Sequence, residues 1–321
     1  MYLEYFGFEE EPFSTAPDPR FLYKSPMHQE ALERIVTAVR MRKGINAIIG
    51  EPGLGKSTLI RTMLAGFSSN VHYAWVFNTT MDGRELVKYI CRDFGFMPSS
   101  TDLADVLMEL YEFLIYDYEQ GKYAILIIDE AQNLEAEVLE QVRQLSNLET
   151  SSKKLLQIIL SGQPQLEYHL EDPKLVQLKQ RISLKATLGR MNQIDTQAYI
   201  NHRIIVAGSS RDDIFSSAAI EAIYEISDGI PRMINQICDN ALMVAAAAGQ
   251  NQINSQLVRD LLQEGKITQA SPAPEIPRSY LNVSEYKNTA EQSGKVDKQY
   301  IELFDEEDET FEVLDLAKLA I

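Results

Sequence analysis

The sequence has few cysteines, no long apolar run and no excess of positive charge. Two cysteines among 321 residues, Cys91 and Cys238, are too few for a disulfide framework or a zinc site. No apolar stretch has the length that spans a bilayer, and the N-terminus lacks the basic flank and apolar core of a signal peptide. These absences predict a cytoplasmic protein without a transmembrane segment.

Acidic residues outnumber basic ones, and the formal net charge is −17. Residues 271–321 contribute strongly, with twelve acidic against five basic residues. A protein that binds duplex DNA tightly normally shows a basic excess or stripe. Here positive charge is only local, at residues 153–154 and 174–185. The charge therefore disfavours nucleic acid as a partner, although a ring assembly could gather such patches along one surface.

The most informative segment is Gly-Glu-Pro-Gly-Leu-Gly-Lys-Ser at residues 50–57, which fits the Gly-x4-Gly-Lys-Ser/Thr phosphate loop. An apolar run precedes it and an amphipathic run follows, as in a strand–loop–helix unit. Backbone N–H groups of such a loop bind phosphate oxygens, its lysine reaches the β- and γ-phosphates, and its hydroxyl binds Mg²⁺. The segment therefore predicts a nucleoside triphosphate site formed by Gly50, Glu51, Pro52, Gly53, Leu54, Gly55, Lys56, Ser57 and Thr58, with Ser57 as a metal ligand.

A second segment, the apolar run at residues 123–128, ends in Asp129 and Glu130. Such a run is typical of a parallel strand buried on both faces, and ligands bind at the carboxyl ends of these strands. We expect Asp129 to bind the nucleotide's Mg²⁺ through water, together with Ser57. Glu130 is the candidate catalytic base, placed to orient the water that attacks the γ-phosphate.

Polar residues at the ends of other predicted segments are candidate sensors and fingers. Gln163 and the shorter Ser161 both follow the fourth predicted strand, and either is able to sense the γ-phosphate. Arg232 opens a predicted lid helix, where a cation opposes the helix dipole and so favours an anionic partner. Arg181 precedes the fifth predicted strand and is a candidate arginine finger for a neighbouring subunit, with Arg143 as its rival.

The order of apolar patterns predicts an α/β fold with a doubly wound parallel sheet, followed by a helical lid. The predicted strands lie at residues 45–49, 72–78, 125–130, 155–160 and 182–188, and one of the intervening helices at 136–149. We predict four regions: an N-terminal arm packed near the nucleotide site (1–28), an α/β nucleotide-binding domain (29–190), a helical lid domain (191–266), and a flexible linker with a disordered acidic tail (267–321).

Further motifs resemble the AAA+ ATPases of the GspA/ExeA secretion type over residues 1–266. These motifs are the aromatic opening at residues 5–23 and the segments 145–150, 161–166, 180–182 and 229–235. The resemblance implies an oligomeric ATPase with an α/β nucleotide domain and a helical lid. It also implies the finger role for Arg181 and the sensor roles for Gln163 and Arg232. The broader group includes TniB/TnsC-like ATPases, which regulate transposition on duplex DNA.

These observations predict a homo-oligomeric ring or filament that hydrolyses ATP with Mg²⁺. Its work would be to assemble or remodel a partner complex of a secretion, pilus or envelope system, at the cytoplasmic face of the inner membrane through that partner. Residues 300–321, an acidic run followed by apolar residues, are a candidate docking segment for a protein partner. Two alternatives stay open: an ATP-dependent DNA-binding regulator of transposition, and a nucleotide-dependent interaction switch.

Overall fold

The computed structural model describes residues 2–67, 70–77, 81–211 and 213–271. Within these residues, five parallel strands form one sheet in the order β2-β3-β4-β1-β5. The strands are β1 (Ile45–Ile49), β2 (Val71–Val76), β3 (Tyr123–Ile128), β4 (Leu156–Gly162) and β5 (Ile182–Thr187). The predicted α/β fold with a parallel sheet is therefore confirmed. The predicted acidic tail lies outside the described residues.

The central strands are buried on both faces, which explains why their sequences read as continuous apolar runs. Successive side chains of a strand point to opposite faces of the sheet. In β1, Ile45, Ala47 and Ile49 belong to one apolar cluster, whereas Ile48 belongs to a second cluster on the other face. Helices cover both faces, so the sheet is doubly wound as predicted.

The helices before the lid follow the predicted alternation with strands. They are α1 (Tyr2–Phe6), α2 (Pro26–Arg40), α3 (Lys56–Ala65), α4 (Gly83–Asp93), α5 (Leu103–Glu119), α6 (Ala136–Leu145), α7 (Gln165–His169) and α8 (Val176–Lys179). Short 3₁₀ turns lie at Pro19–Phe21, Ala131–Asn133 and Pro173–Leu175. None of the helices in the described part of the chain has both the length and the apolar character that crossing a membrane requires.

Five predicted segments differ from the structure at their ends, among them the fourth strand, predicted at 155–160 and observed at Leu156–Gly162, and the fifth, predicted at 182–188 and observed at Ile182–Thr187. The helix predicted at 136–149 ends at Leu145, because the Ser146 hydroxyl donates to the carbonyl of Arg143 at 2.6 Å and Glu149 pairs with Lys154 in an antiparallel bridge. The strand predicted at 125–130 ends at Ile128, so the two acids lie in the turn beyond it. The strand predicted at 72–78 ends at Val76.

In the described part of the chain, four helices follow the sheet and form the lid. They are α9 (Gln193–Val206), α10 (Ser217–Ser227), α11 (Pro231–Ala247) and α12 (Ser255–Gln263). Asn192, Ser216 and Asn254 cap three of them, each side chain accepting a backbone N–H of the first turn. Within the described residues after 191, strand pairing is limited to one bridge, between Phe215 and Ile253. The domain boundary near residue 190 stays a prediction.

The N-terminal arm packs into the core of the lid. Phe6, Phe8, Phe13 and Phe21 are buried in the same apolar cluster as the inward faces of α9 to α12. The ring of Phe13 meets that of Phe215 edge to face, with centroids 6.0 Å apart. The aromatic spacing at the start of the sequence therefore reflects burial against helices that lie far along the chain.

Candidate nucleotide site

The phosphate-loop motif forms the turn between β1 and α3. Gly53 and Gly55 have φ values of 86° and 91°, in the left-handed region that glycine adopts without strain. Lys56 is the first residue of α3 and is buried. Its Nζ donates to the backbone carbonyls of Gly50, at 2.7 Å, and Glu51, at 3.1 Å. The lysine and the N-terminus of α3 thus meet at the centre of the loop, where they favour an anion.

The hydroxyls of two serines meet the carboxylate of Asp129. Ser57 Oγ donates to Oδ2 at 3.0 Å, and Ser161 Oγ donates to Oδ1 at 2.7 Å. A hydroxyl and a carboxylate, both hard oxygen donors, are the ligands that Mg²⁺ takes in nucleotide sites. Ser57 and Asp129 therefore fit this ion, and Ser161 holds the carboxylate from its other side.

The pKa of Lys56 is lowered by burial of its ammonium group, and the nearby carboxylates of Glu130, Asp129 and Glu51 partly oppose that shift. These three carboxylates come from two segments that the sheet brings together, the phosphate loop and the turn after β3. A buried cation with acidic neighbours gains favourable interactions when it meets phosphate oxygens.

Glu130 follows β3 in a strained backbone conformation. Its φ of 50° lies in the left-handed region, which is uncommon for a residue with a side chain. Gln163 Nε2 and Gln132 Nε2 both donate to Oε2 of Glu130, at 2.9 Å and 2.6 Å. Burial raises the pKa of this carboxyl, but the hydrogen bonds from Gln163 and Gln132 and the charge of Lys56 leave it below its ordinary value. The carboxylate is therefore ionised and held in one position.

The sequence-based reasoning missed Gln132. Its amide oxygen also accepts the backbone N–H of Gln163 at 2.9 Å, so it joins the turn after β3 to the end of β4. A Cβ at Gly162 would lie 3.0 Å from that same oxygen, so the approach needs a residue without a side chain there. Its position in the sequence, two residues after the acidic pair, was the one signal that would have marked Gln132 as a candidate site residue.

Gln163 and Ser161, the two sensor candidates, occupy different places. Gln163 contacts the carboxylate of Glu130, and Ser161 contacts that of Asp129. The residues are two apart, but Ser161 belongs to β4 and is fully buried, whereas Gln163 follows the strand and is partly exposed. Both therefore stand beside an acid of the site, and Gln163 is the one next to the candidate base.

Arg232 reaches the phosphate loop from the lid. It lies in the first turn of α11, and its backbone N–H donates to the carbonyl of Gly53 at 3.2 Å. A Cβ at Gly53 would lie 2.7 Å from Cβ of Arg232, so the loop and the lid helix approach as closely as a glycine permits. Among the described residues, the guanidinium of Arg232 forms no ion pair, and the residue lines a cavity over the loop.

This cavity, of about 240 Å³, lies between the phosphate loop, the arm and the lid. Its walls combine loop residues 52–58 and Glu130 with arm residues 14–17 and 21–23. The lid contributes Met191, Tyr199, Arg203, Pro231, Arg232 and Asn235. The predicted arm thus lines the cavity next to the phosphate loop, in addition to filling the lid core.

Arg203 fastens the arm to the lid, and the sequence-based reasoning also missed it. This buried guanidinium donates to the carbonyls of Pro12, at 2.5 Å, and Ser14, at 3.0 Å, and stacks over the ring of Phe21 at 4.7 Å. It also donates to the hydroxyl of Tyr199 at 3.1 Å. Backbone carbonyls of an irregular segment need such donors when they are buried.

His28, a further missed residue, joins helix α2 to the phosphate loop. The carbonyl of Leu54 lies 2.9 Å from Nε2, and the hydroxyl of Ser25 lies 2.7 Å from Nδ1. Because a carbonyl only accepts, the neutral ring carries its proton on Nε2. Burial lowers the pKa of His28, although the contact with the Leu54 carbonyl and the charge of Asp195 oppose this.

The two finger candidates lie on one surface, away from the phosphate loop. Arg181 precedes β5 at the amino edge of the sheet, a strand length of roughly 16 Å from the carboxyl edge. Its Nη1 donates to Ser146 Oγ at 3.1 Å, and it also contacts Asn147. Ser146 in turn donates to the carbonyl of Arg143, which pairs with Glu140 at 2.7 Å. Neither arginine is placed to serve the site of its own chain.

Comparison with known proteins gives one family match and one curated relative. Residues 39–170 match the family described as AAA domain. The chain is 39% identical over 255 residues to general secretion pathway protein A of Aeromonas hydrophila, an alignment that covers 79% of this chain and 46% of that protein. The chain therefore spans about half the length of this relative.

Solved structures show the same fold. The ORC2 protein of Aeropyrum pernix, solved in ADPNP–ADP complexes, has a TM-score of 0.61 at 20% identity, covering 83% of this chain and 73% of that one. Cdc6p from Pyrobaculum aerophilum has a TM-score of 0.62 at 18% identity, covering 79% and 70%. At these identities the likeness concerns the fold alone.

Proposed function

We propose that this chain, which belongs to the AAA+ ATPases and resembles general secretion pathway protein A, binds ATP with Mg²⁺ and hydrolyses it to ADP and phosphate. One observation carries the proposal: Lys56, Ser57, Asp129 and Glu130 converge where β1 and β3 end, beneath a cavity roofed by the lid. Phosphoryl transfer to water needs these parts, since its catalysis rests on positioning and electrostatics.

Each residue has a distinct role in the proposed reaction. Lys56 and the N-terminus of α3 would bind the phosphates, while Ser57 and Asp129 would hold the metal. Mg²⁺, when bound, supplies positive charge against the charge that develops on the phosphates. Glu130 is ionised and orients the attacking water, and Gln163 keeps its carboxylate in place. Arg232, which lines the cavity from the lid, would contact the phosphates.

Two variants test this assignment. Lys56→Ala removes the phosphate-binding cation and should abolish ATP binding measured by calorimetry. Glu130→Gln keeps the shape of the side chain and should preserve ATP binding while turnover falls roughly 10²-fold or more, as for loss of a general base. If the wild type releases phosphate no faster than Lys56→Ala at every protein concentration, the chain is not an ATPase.

We also propose that hydrolysis requires a homo-oligomer, a ring or a filament. Arg181 and Arg143 both lie on a surface remote from the chain's own phosphate loop, where a neighbouring subunit could receive either one. A finger supplied in trans makes turnover depend on assembly. Specific activity should therefore rise with protein concentration in the range where light scattering detects assembly.

For the biological role, we propose that the ATPase assembles or remodels a partner complex of a secretion, pilus or envelope system in the cytoplasm. The name of the Aeromonas hydrophila relative supports a secretion partner. Pull-down with residues 300–321 as bait should retain a component of such a system. Salt-dependent duplex DNA binding by the ATP-loaded protein would favour the transposition regulator instead.

A further inference from the structure

The segment that connects the sheet to the lid is tied to the turn that precedes α11. The backbone N–H of Met191 donates to the carbonyl of Gly229 at 2.9 Å. Gly229 has a φ of 70°, and a Cβ there would lie only 1.9 Å from the carbonyl oxygen of Met191. Helix α11, which carries Arg232, begins two residues later. The connector and the start of α11 are therefore held as one unit.

Arg190 links this unit to the phosphate loop. Its Nε and Nη2 contact the two carboxylate oxygens of Glu51 at 3.0 Å and 2.5 Å, in a bidentate pair. Its Nη1 contacts the carboxylate of Asp228, the residue that follows α10. The side chains of Arg190 and Glu51 are only 13% and 20% exposed, so solvent screens their contact far less than that of a surface ion pair.

The backbone of Glu51 takes part in the site itself. Its carbonyl accepts a hydrogen bond from Lys56 Nζ at 3.1 Å, while its side chain pairs with Arg190. If Lys56 exchanges this hydrogen bond for a contact with a phosphate, the change therefore affects Glu51, the residue whose carboxylate pairs with Arg190. On the opposite side of the guanidinium, Nη1 of Arg190 contacts the carboxylate of Asp228. This residue lies three positions before Pro231, the first residue of α11.

We infer that Arg190 is a positioning residue that couples the phosphate loop to the lid, so that the bound nucleotide sets the orientation of α11 and with it Arg232. This inference deepens the proposed ATPase function and rests on it. The planar guanidinium suits the role because it pairs with one carboxylate in a bidentate manner and still has a donor for a second. Glu51 and Asp228 lie 177 residues apart in the chain, and Arg190 contacts the carboxylates of both.

A distance measurement tests the coupling without relying on activity. Nitroxide labels are placed at Glu112→Cys on α5 and Gln256→Cys on α12, both exposed positions, since the two native cysteines are buried. Labelled subunits are diluted with unlabelled ones, and electron–electron distances are recorded with Mg-ADP and with a non-hydrolysable ATP analogue. In the parent protein, we expect the distance between the labels to differ between the two nucleotides. In Arg190→Gln, we expect the same broad distance distribution with either nucleotide.

Three further variants sharpen the experiment. Asp228→Asn breaks only the lid contact, and asparagine tolerates the left-handed backbone at that position, where φ is 47°. Glu51→Gln weakens only the loop contact. Because the two act through Arg190, their effects on the affinity for the ATP analogue should be non-additive by roughly 5-fold or more, and additive when Arg190→Gln is also present. Arg259→Gln, which breaks an exposed lid ion pair with Glu225, is the matched control and should leave both readouts unchanged.

The outcomes separate the inference from the proposed function. If the parent protein binds no adenine nucleotide, the proposed function fails and the inference fails with it. If the parent binds and hydrolyses ATP but its distances do not respond to the nucleotide, or Arg190→Gln responds as the parent does, the coupling role is wrong and the ATPase stands. Should Arg190→Gln fail to fold, Asp228→Asn gives the same decision.

Discussion

Nε2 of Gln163 lies 2.9 Å from Oε2 of Glu130, so the side chain that follows β4 holds the carboxylate that follows β3. Gln132 donates to the same oxygen at 2.6 Å. Two amide donors on one carboxylate oxygen leave the other oxygen available to accept a hydrogen bond from water. The candidate base is therefore oriented before any substrate binds. Such electrostatic preorganisation avoids the free-energy cost of reorienting the group during the reaction.

Removal of the Gln163 amide should slow hydrolysis. In Gln163→Leu the carboxylate of Glu130 loses one of two charge-assisted hydrogen bonds, and we expect turnover to fall by roughly 10- to 100-fold, the equivalent of such a bond. Steady-state phosphate release measures this. Gln165→Leu, at an exposed position two residues further along, is the control. Equal rates for Gln163→Leu and Gln165→Leu would contradict the assignment.

Mixed oligomers should identify the arginine finger. Arg181→Ala and Glu130→Gln subunits should each be inactive alone, because a finger is worth about 10³-fold or more in turnover. A mixture should regain activity, since some interfaces then join an intact Glu130 to an intact Arg181 of the neighbour. If the Arg181→Ala mixture shows no recovery and an Arg143→Ala mixture does, Arg143 is the finger.

Alanine at Gly229 should destabilise the protein. The left-handed backbone there costs about 1–3 kcal/mol for a residue with a side chain, and the clash with the Met191 carbonyl adds to this. Gly249→Ala is a matched control, because its φ of 66° is similar but nothing lies within 4 Å of the added Cβ. Chemical denaturation of both variants measures the difference. Similar midpoints would mean that the connector is not held as the structure shows.

Stability should decrease as the pH falls below neutrality, in part because of His28. Its native pKa is lowered, so between the unfolded value of about 6.5 and the native value only the unfolded chain binds the proton. The free energy of unfolding therefore falls as the pH drops below about 6.5, by at most about 1.4 kcal/mol per pH unit from this histidine. Gln in place of His28 should flatten the slope of stability against pH between 6.5 and 5.5, measured by denaturant unfolding. An unchanged slope would exclude a buried neutral ring.

The sequence sufficed to predict the sheet and the motifs that lie within single segments. Local rules covered them: a glycine-bordered lysine predicts a phosphate loop, and an apolar run predicts a buried parallel strand. The apolar patterns after residue 190 also predicted the lid, and the resemblance to the GspA type, which the Aeromonas hydrophila relative confirms, implied the same. The ends of segments were less accurate, because side-chain capping such as that of Ser146 decides where a helix stops.

The sequence did not predict the contacts between distant segments of the chain. Arg190 meets Glu51, and Arg203 meets Pro12, over separations of 139 and 191 residues. A single sequence contains no signal for such pairs, since Arg190 reads as an ordinary polar residue before the lid and Arg203 as one within a lid helix. Gln132 was missed for a different reason: its role depends on the left-handed backbone at Glu130, which the residue type does not suggest.

The burial of the arm's phenylalanines among the lid helices also has a consequence for biosynthesis. The arm is synthesised before its packing partners, from Tyr199 to Ile267, which follow roughly 200 residues later in the chain. Until then the nascent chain displays four unprotected aromatic rings, the kind of surface that aggregates or recruits chaperones. The apolar core that the arm shares with the lid can therefore form only after the chain has been synthesised as far as Ile267.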